Sequence, residues 1–228
     1  LSIMHSNSLG LLLRTLRDQR CMLLFLALVL LLVALPFLTD TPSGQTILIL
    51  VNATVLLTAV AAVGRTWLSL LVAILLVVPA LVFRFLSLRS GHTEYLGLTW
   101  SFNALFYLFI MTNLFRYVFR LDLMSRDKLY GAVAAYILIA LFWAQLHALT
   151  QYFYPGAYMN QGTPQALDIT ELIYFSFAAL STAGFGDIAP ALIQSRYLTI
   201  LEMIVGVMFV AILIARLTGV YPLVDKRS

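Results

Sequence analysis

Long apolar runs alternate with short polar links along this chain. A run of about twenty apolar residues is long enough to cross a bilayer as a helix. Six runs meet that description: residues 21–38, 46–63, 67–85, 98–119, 132–153 and 197–217. A seventh apolar stretch, residues 169–181, is shorter. As a helix it spans about 20 Å, or half a bilayer. It is predicted to enter the apolar layer and return on the same side. The pattern contains no repeat of fixed period and no low-complexity tract.

The links between the runs are marked by turn formers. Asp40, Pro42 and Gly44 lie between the first two runs, and Gly64-Arg65-Thr66 makes a tight link to the third. Short links of this kind imply antiparallel neighbours. Residues 86–97 read as a polar loop with Arg89, His92 and Glu94. His92 fits a solvated loop better than a pH sensor. Residues 121–131 mix Leu121, Met124 and Leu129 with Asp122, Arg126, Asp127 and Lys128. This suits an amphipathic linker at a membrane surface, or simply a solvated face. The fifth run ends in Tyr152, Phe153 and Tyr154 at headgroup level, and Pro155-Gly156 turns the chain. An uncharged loop, 157–167, follows. Asp168 and Glu171 have the spacing of a capping box that starts the half-length helix.

Composition agrees with a membrane chain. Of 228 residues, 62% are hydrophobic and 11% charged. Of fourteen Lys and Arg residues, eleven fall on one side if the N-terminus is cytosolic. The positive-inside rule then puts both termini in the cytosol. Basic residues at that face also account for the net charge of +4 without a nucleic-acid partner, and they suit contact with anionic lipid. Arg14, Arg17 and Arg20 share one helix face, which fits an interfacial helix or an orientation signal. The first run is too long for a typical signal-peptide core, so it reads as an uncleaved span. Cys21 is the only cysteine and can form no internal disulfide. No constellation suggests an enzyme.

The candidate chemistry sits between the half-length helix and the last run, in Thr182-Ala183-Gly184-Phe185-Gly186-Asp187. Glycines alternate with side-chain residues there, and glycine reaches φ > 0 without steric cost. Alternating backbone conformations can aim successive carbonyls toward one axis, where they replace the hydration shell of K⁺. Thr182 adds a hydroxyl at the inner end.

This stretch resembles the selectivity filter of potassium channels, whose common form is Thr-Val-Gly-Tyr-Gly-Asp. Ala183 replaces the usual valine and Phe185 the usual tyrosine. The resemblance covers roughly residues 129–220. It implies an all-α integral membrane fold, tetrameric, in which a four-helix sensor-like bundle precedes a helix–pore-helix–filter–helix module. The parts are then a cytosolic segment (1–20), a sensor-like domain (21–120), a linker (121–131), a pore domain (132–220) and a short cytosolic tail (221–228). The implied function is passive K⁺ conduction by a homotetramer in the plasma membrane of a prokaryotic-type cell, with no cofactor beyond K⁺ ions in the filter.

The resemblance also assigns roles to residues. Thr182, Ala183, Gly184, Phe185 and Gly186 line the filter, with K⁺ held at the first four. Asp187, Tyr174 and Phe175 support it, Tyr174 either donating to Asp187 or merely packing. Glu202, the only acid in the last run, either braces the half-length helix near Ser181 or pairs with Arg196. Gly206 is a hinge or a close-packing point. Val207, Val210, Ile214 and Leu217 share a face that lines an inner cavity. Ser195 is a candidate cap for the last run, and Asn103 and Asn113 are candidates for bonds between helices. A working voltage sensor needs several arginines at every third position of the fourth helix, with acidic partners before it. Here only Arg116 and Arg120 occur, and spans two and three hold no Asp or Glu. The chain therefore reads as sensor-like with little sensor chemistry. The rival readings are a weakly selective cation channel, an ion transporter subunit and a non-conducting accessory protein. Ala183 keeps the first of them open. The gating stimulus is not encoded in any motif.

Overall fold

The computed structural model describes residues 19–38, 54–55, 58–59, 67–90, 94–120 and 125–220. The expected second span, 46–63, lies almost wholly outside them, as do Arg14, Arg17, Arg65, His92, residues 121–124 and the 221–228 tail. Six helices are described at length: α1 (Arg20–Leu38), α2 (Trp67–Ser90), α3 (Glu94–Val118), α4 (Arg126–Phe153), α5 (Ile169–Leu180) and α6 (Ile193–Val220). All but α5 are long and apolar enough to cross a membrane.

Three expectations are corrected here. Residues 86–97 are not a loop: α2 runs on to Ser90 and α3 begins at Glu94, with 91–93 outside the described residues. Residues 126–131 are the first turns of α4, whose N-cap is Ser125, accepting from the Lys128 N–H at 3.3 Å. Lys128 itself is buried. The uncharged outer segment is also not a plain loop. It carries β1 (Tyr158–Asn160) and β2 (Thr163–Pro164), and β3 (Ile188–Pro190) joins them in a sheet ordered β2-β1-β3, antiparallel throughout. Gln161 and Gly162 both have positive φ, 48° and 79°, the requirement of a tight hairpin turn whose twist matches its strands.

Helix α4 is the centre of the packing. It contacts α1, α3, α5 and α6, while α2 packs on α3. Leu24 and Leu28 of α1, Ile110 and Leu114 of α3 and Leu138, Ile139 and Leu141 of α4 are buried in one cluster. Glycine permits the closest approaches. A Cβ on Gly131 would lie 3.1 Å from Val118 Cγ2 and 3.3 Å from Cys21 Sγ. One on Gly97 would lie 3.1 Å from the Tyr152 ring. Asn113 bonds the Phe109 carbonyl one turn back in its own helix, so it does not bridge helices as expected.

Asp127 ties these helices at one end. Its Oδ1 accepts from the N–H groups of Cys21 at 3.0 Å and Met22 at 3.4 Å, while Tyr117 donates to its Oδ2 at 3.0 Å. A carboxylate from α4 thus caps the start of α1, where orphan N–H groups and the helix dipole favour negative charge. Removing a cap costs about 0.5–2 kcal/mol. Asp127→Ala is expected to lower unfolding stability in detergent by that order and to speed amide exchange at Cys21 and Met22. Unchanged exchange at both amides would rule the cap out.

Candidate functional site

The site is built from α5 upward. Asp168 accepts from the Glu171 N–H, and Glu171 accepts from the Asp168 N–H, each at 2.8 Å, so the capping box forms as its spacing predicts. Asn160 of β1 donates to the other Glu171 oxygen at 3.2 Å, joining the hairpin to the helix start. Helix α5 ends at Leu180 with Ser181 as C-cap, one residue short of the expected limit. Thr182 then donates to the Ala179 carbonyl and Ala183 to that of Ala178, both at 2.9 Å. This pair of bonds is a Schellman closure, in which the residue after the cap is left-handed and usually glycine.

Here that residue is Thr182, with φ 57°. A left-handed conformation costs a non-glycine residue about 1–2 kcal/mol, and a β-branched residue is a genuine outlier there. Gly184 (φ 58°) and Gly186 (φ 82°) are also positive, while Ala183 and Phe185 between them are not. The sign of φ therefore alternates over five consecutive residues. All of 182–187 are exposed in the single chain.

The loop is anchored beyond Gly186. The Gln161 N–H donates to the Asp187 carbonyl at 2.7 Å, and β3 begins at the next residue, with Ile188 opposite Asn160. The Ile188 N–H, and after it the Tyr174 hydroxyl, hold the Asp187 carboxyl below the ordinary carboxylate range, because both bond its charged form. Tyr174 thus faces Asp187, and its ring also stacks on Phe185 at 5.9 Å. Phe175 points elsewhere. It is buried behind α5 against His147 and Tyr158, at 5.0 and 5.5 Å between ring centres.

Behind α5, Glu202 is fully buried. It does brace α5, but through Ser176, which bonds its Oε1, and not near Ser181, whose hydroxyl donates to Phe177. Its Oε2 lies 2.7 Å from His147 Nε2, and His147 Nδ1 lies 2.6 Å from the Tyr158 hydroxyl. Arg196 bonds the Pro190 carbonyl, not Glu202. Ser195 is no cap, since α6 starts at Ile193; its hydroxyl donates to the Ala157 carbonyl at 2.6 Å. His147, Tyr158 and Ser176 were missed as site residues. The available signal was His147, an ionisable side chain inside a span, which calls for a partner by default.

The remaining expected residues lie apart from this cluster. Val207, Val210 and Ile214 are exposed along α6 in the single chain, with Leu217 partly covered. Arg116 is exposed near the end of α3, whereas Arg120 lies past its last residue. The Arg120 carbonyl accepts from the Arg216 guanidinium, joining the ends of α3 and α6.

Gly206 meets the end of α5. A Cβ there would fall 2.0 Å from the Leu180 carbonyl oxygen, closer than any real contact, so packing alone requires glycine. At Gly184 nothing lies within 4 Å of an added Cβ, and only its φ opposes a side chain. Overpacking costs about 1–3 kcal/mol. Gly206→Ala is therefore expected to destabilise the folded protein more than Gly184→Ala, as read by unfolding in detergent. The opposite order would mean that α5 and α6 are not in this contact.

Residues 132–221, from the second turn of α4 to the end of α6, match the family model described as ion channel. No curated protein and no solved structure matches the chain. The match covers 90 of the 228 residues, so the part of the chain that carries α4, α5, its loop and α6 is similar to an ion channel domain.

Proposed function

We propose that this chain is the subunit of a potassium-selective channel that conducts K⁺ passively through a homotetrameric pore. The observation that carries this reading is the alternation of φ at Thr182, Gly184 and Gly186. Successive carbonyls of residues 182–185 are then available to one axis, as a K⁺ filter requires. Thr182 sharpens the argument. Glycine would close the end of α5 without strain, whereas threonine at that position offers a hydroxyl at the inner end of the loop. Asp187 and Tyr174 hold the outer end, and Glu202 holds the helix behind it.

One loop supplies only part of a ring, so four copies are needed around the axis. The exposure of Phe185 and of Val207, Val210 and Ile214 in the single chain supports faces that copies cover. Conduction needs no bond chemistry, so this reading has no enzyme and no cofactor other than the permeating ion. The partners are membrane lipid and further copies of the chain, without nucleic acid. The cytosolic placement of both termini follows from the basic-residue distribution, and the plasma membrane of a prokaryotic-type cell from the resemblance of the 182–187 stretch to potassium-channel filters.

The test is single-channel recording in a planar bilayer with K⁺ on one side and Na⁺ on the other. The expected reversal potential lies on the K⁺ side. Reversal near zero would instead favour the weakly selective channel that the small Ala183 allows, and absence of unitary steps would favour a transporter.

Voltage is expected to gate the channel only weakly. One charge moved through 100 mV is worth about 2.3 kcal/mol, and steep gating uses roughly 3–4 charges per subunit. Arg116 sits in the last turn of α3 and Arg120 beyond it, where little of the field falls. Open probability should change shallowly with voltage, with or without Arg116→Gln and Arg120→Gln. A steep curve flattened by the double substitution would make them gating charges.

A further inference from the structure

Four polar contacts run in one line through the dry space behind α5. Tyr158 Oη meets His147 Nδ1 at 2.6 Å, and His147 Nε2 meets Glu202 Oε2 at 2.7 Å. Glu202 Oε1 meets Ser176 Oγ, and Ser176 Oγ meets the Ala140 carbonyl oxygen at 2.7 Å. The four side chains are fully buried. They come from β1, α4, α6 and α5, so the line joins four of the elements around the loop.

Two electronegative atoms at such distances need a proton between them. The line has four gaps, and its last atom, a backbone carbonyl, can only accept. The Ser176 proton must therefore fill the gap to Ala140. Ser176 Oγ is then an acceptor toward Glu202, and the only proton that can fill that gap is one carried by Glu202 itself. Glu202 Oε2 in turn accepts from His147 Nε2–H, and His147 Nδ1 accepts from Tyr158 O–H. Every gap is filled, every group is neutral, and His147 is the Nε2–H tautomer. The ionised alternative fails the count. With Glu202 a carboxylate and His147 an imidazolium, Ser176 has one proton for two acceptors. It also places two charges in the dry interior, where desolvation can outweigh their attraction.

We propose that Glu202 is a protonated, neutral carboxylic acid, and that its proton is a structural link holding α5 against α4, α6 and β1. Glu202 is thus a positioning residue. The titratable groups that face it are His147 and Tyr136 from α4 and Tyr158 from β1, while α5 presents Ser176, which does not titrate. Loss of the proton leaves either Glu202 Oε1 or the Ala140 carbonyl without a donor, and a bare charge behind the loop. The loop geometry is then sensitive to one buried proton. The protonation claim stands on the contacts alone, whereas its effect on current rests on the conduction reading above.

Infrared spectroscopy of the full chain in lipid vesicles tests the proton directly. The expected spectrum contains a carboxylic-acid carbonyl band that disappears in Glu202→Gln, and nitrogen NMR of His147 shows a neutral ring with its proton on Nε2. Glutamine reproduces the neutral acid, accepting from His147 and donating to Ser176, so Glu202→Gln should assemble and conduct like the parent chain. Glu202→Leu should lose assembly or current. If Glu202→Gln does not fold, Ser176→Ala serves instead. It keeps the acid but removes its acceptor, so the band persists and shifts to higher frequency. Absence of the band in the parent chain, together with a doubly protonated His147, would overturn the proposal. Neither spectroscopic readout depends on ion selectivity, so a weakly selective pore with the band present would contradict only the conduction reading.

Discussion

A helix that stops inside an apolar layer leaves its last carbonyls with no water to bond them. That constraint governs the part of this chain that matches the ion channel model, residues 132–221. Helix α5 meets it with the N–H groups of the residues that follow: Ser181 bonds Phe177, Thr182 bonds Ala179, and Ala183 bonds Ala178. The bonds that close the helix also set the first turn of the 182–187 loop. The loop therefore inherits its starting conformation from α5, and whatever fixes α5 fixes the loop. Three supports do so. The Glu202 line holds it from behind, the Gly206 contact seats its end on α6, and the hairpin ties its start and the far end of the loop together through Glu171 and Asp187.

Among the described residues, the other half of the chain meets this unit mainly through α4, with Phe115 of α3 also packing on Phe209 of α6 at 5.8 Å between ring centres. Asp127 joins the first turns of α1 and α4 to the end of α3, and Arg216 joins the ends of α6 and α3. Both links lie at the same end of the bundle, where the sequence concentrates its basic residues. Displacement of α1 or α3 would reach α6 through these few bonds and through the buried face of α4.

Much of this was legible because the signals are local. Five spans show within about twenty-five residues each, and the half-length helix, the Asp168–Glu171 box and the glycine alternation within about a dozen. Elements that depend on distant partners were not legible. Nothing near Asp127 points to Cys21, 106 positions away, and its charge suggested a solvated linker instead. Glu202 was legible as needing a partner, but the choice of Ser176 and His147 over Ser181 and Arg196 is made by packing. Gly206 was legible as unusual, and only the approach of Leu180 shows what forbids a side chain. The hairpin was missed because its strands are two or three residues long, although Gln161-Gly162 supplies a turn of the right kind. Helices α2 and α3 ran past their expected ends because polar residues such as Arg89 and Glu94 are tolerated in the outer turns of a span.

In the proposed pore, residues 182–185 offer carbonyl oxygens to K⁺ on a shared axis. Anomalous scattering from crystals of the assembled protein grown with thallium, which substitutes for K⁺, tests it most directly. The expected result is a row of peaks on a fourfold axis, flanked by the backbone oxygens of Thr182, Ala183, Gly184 and Phe185. An empty axis, or carbonyls of these residues turned away from it, would contradict the claim.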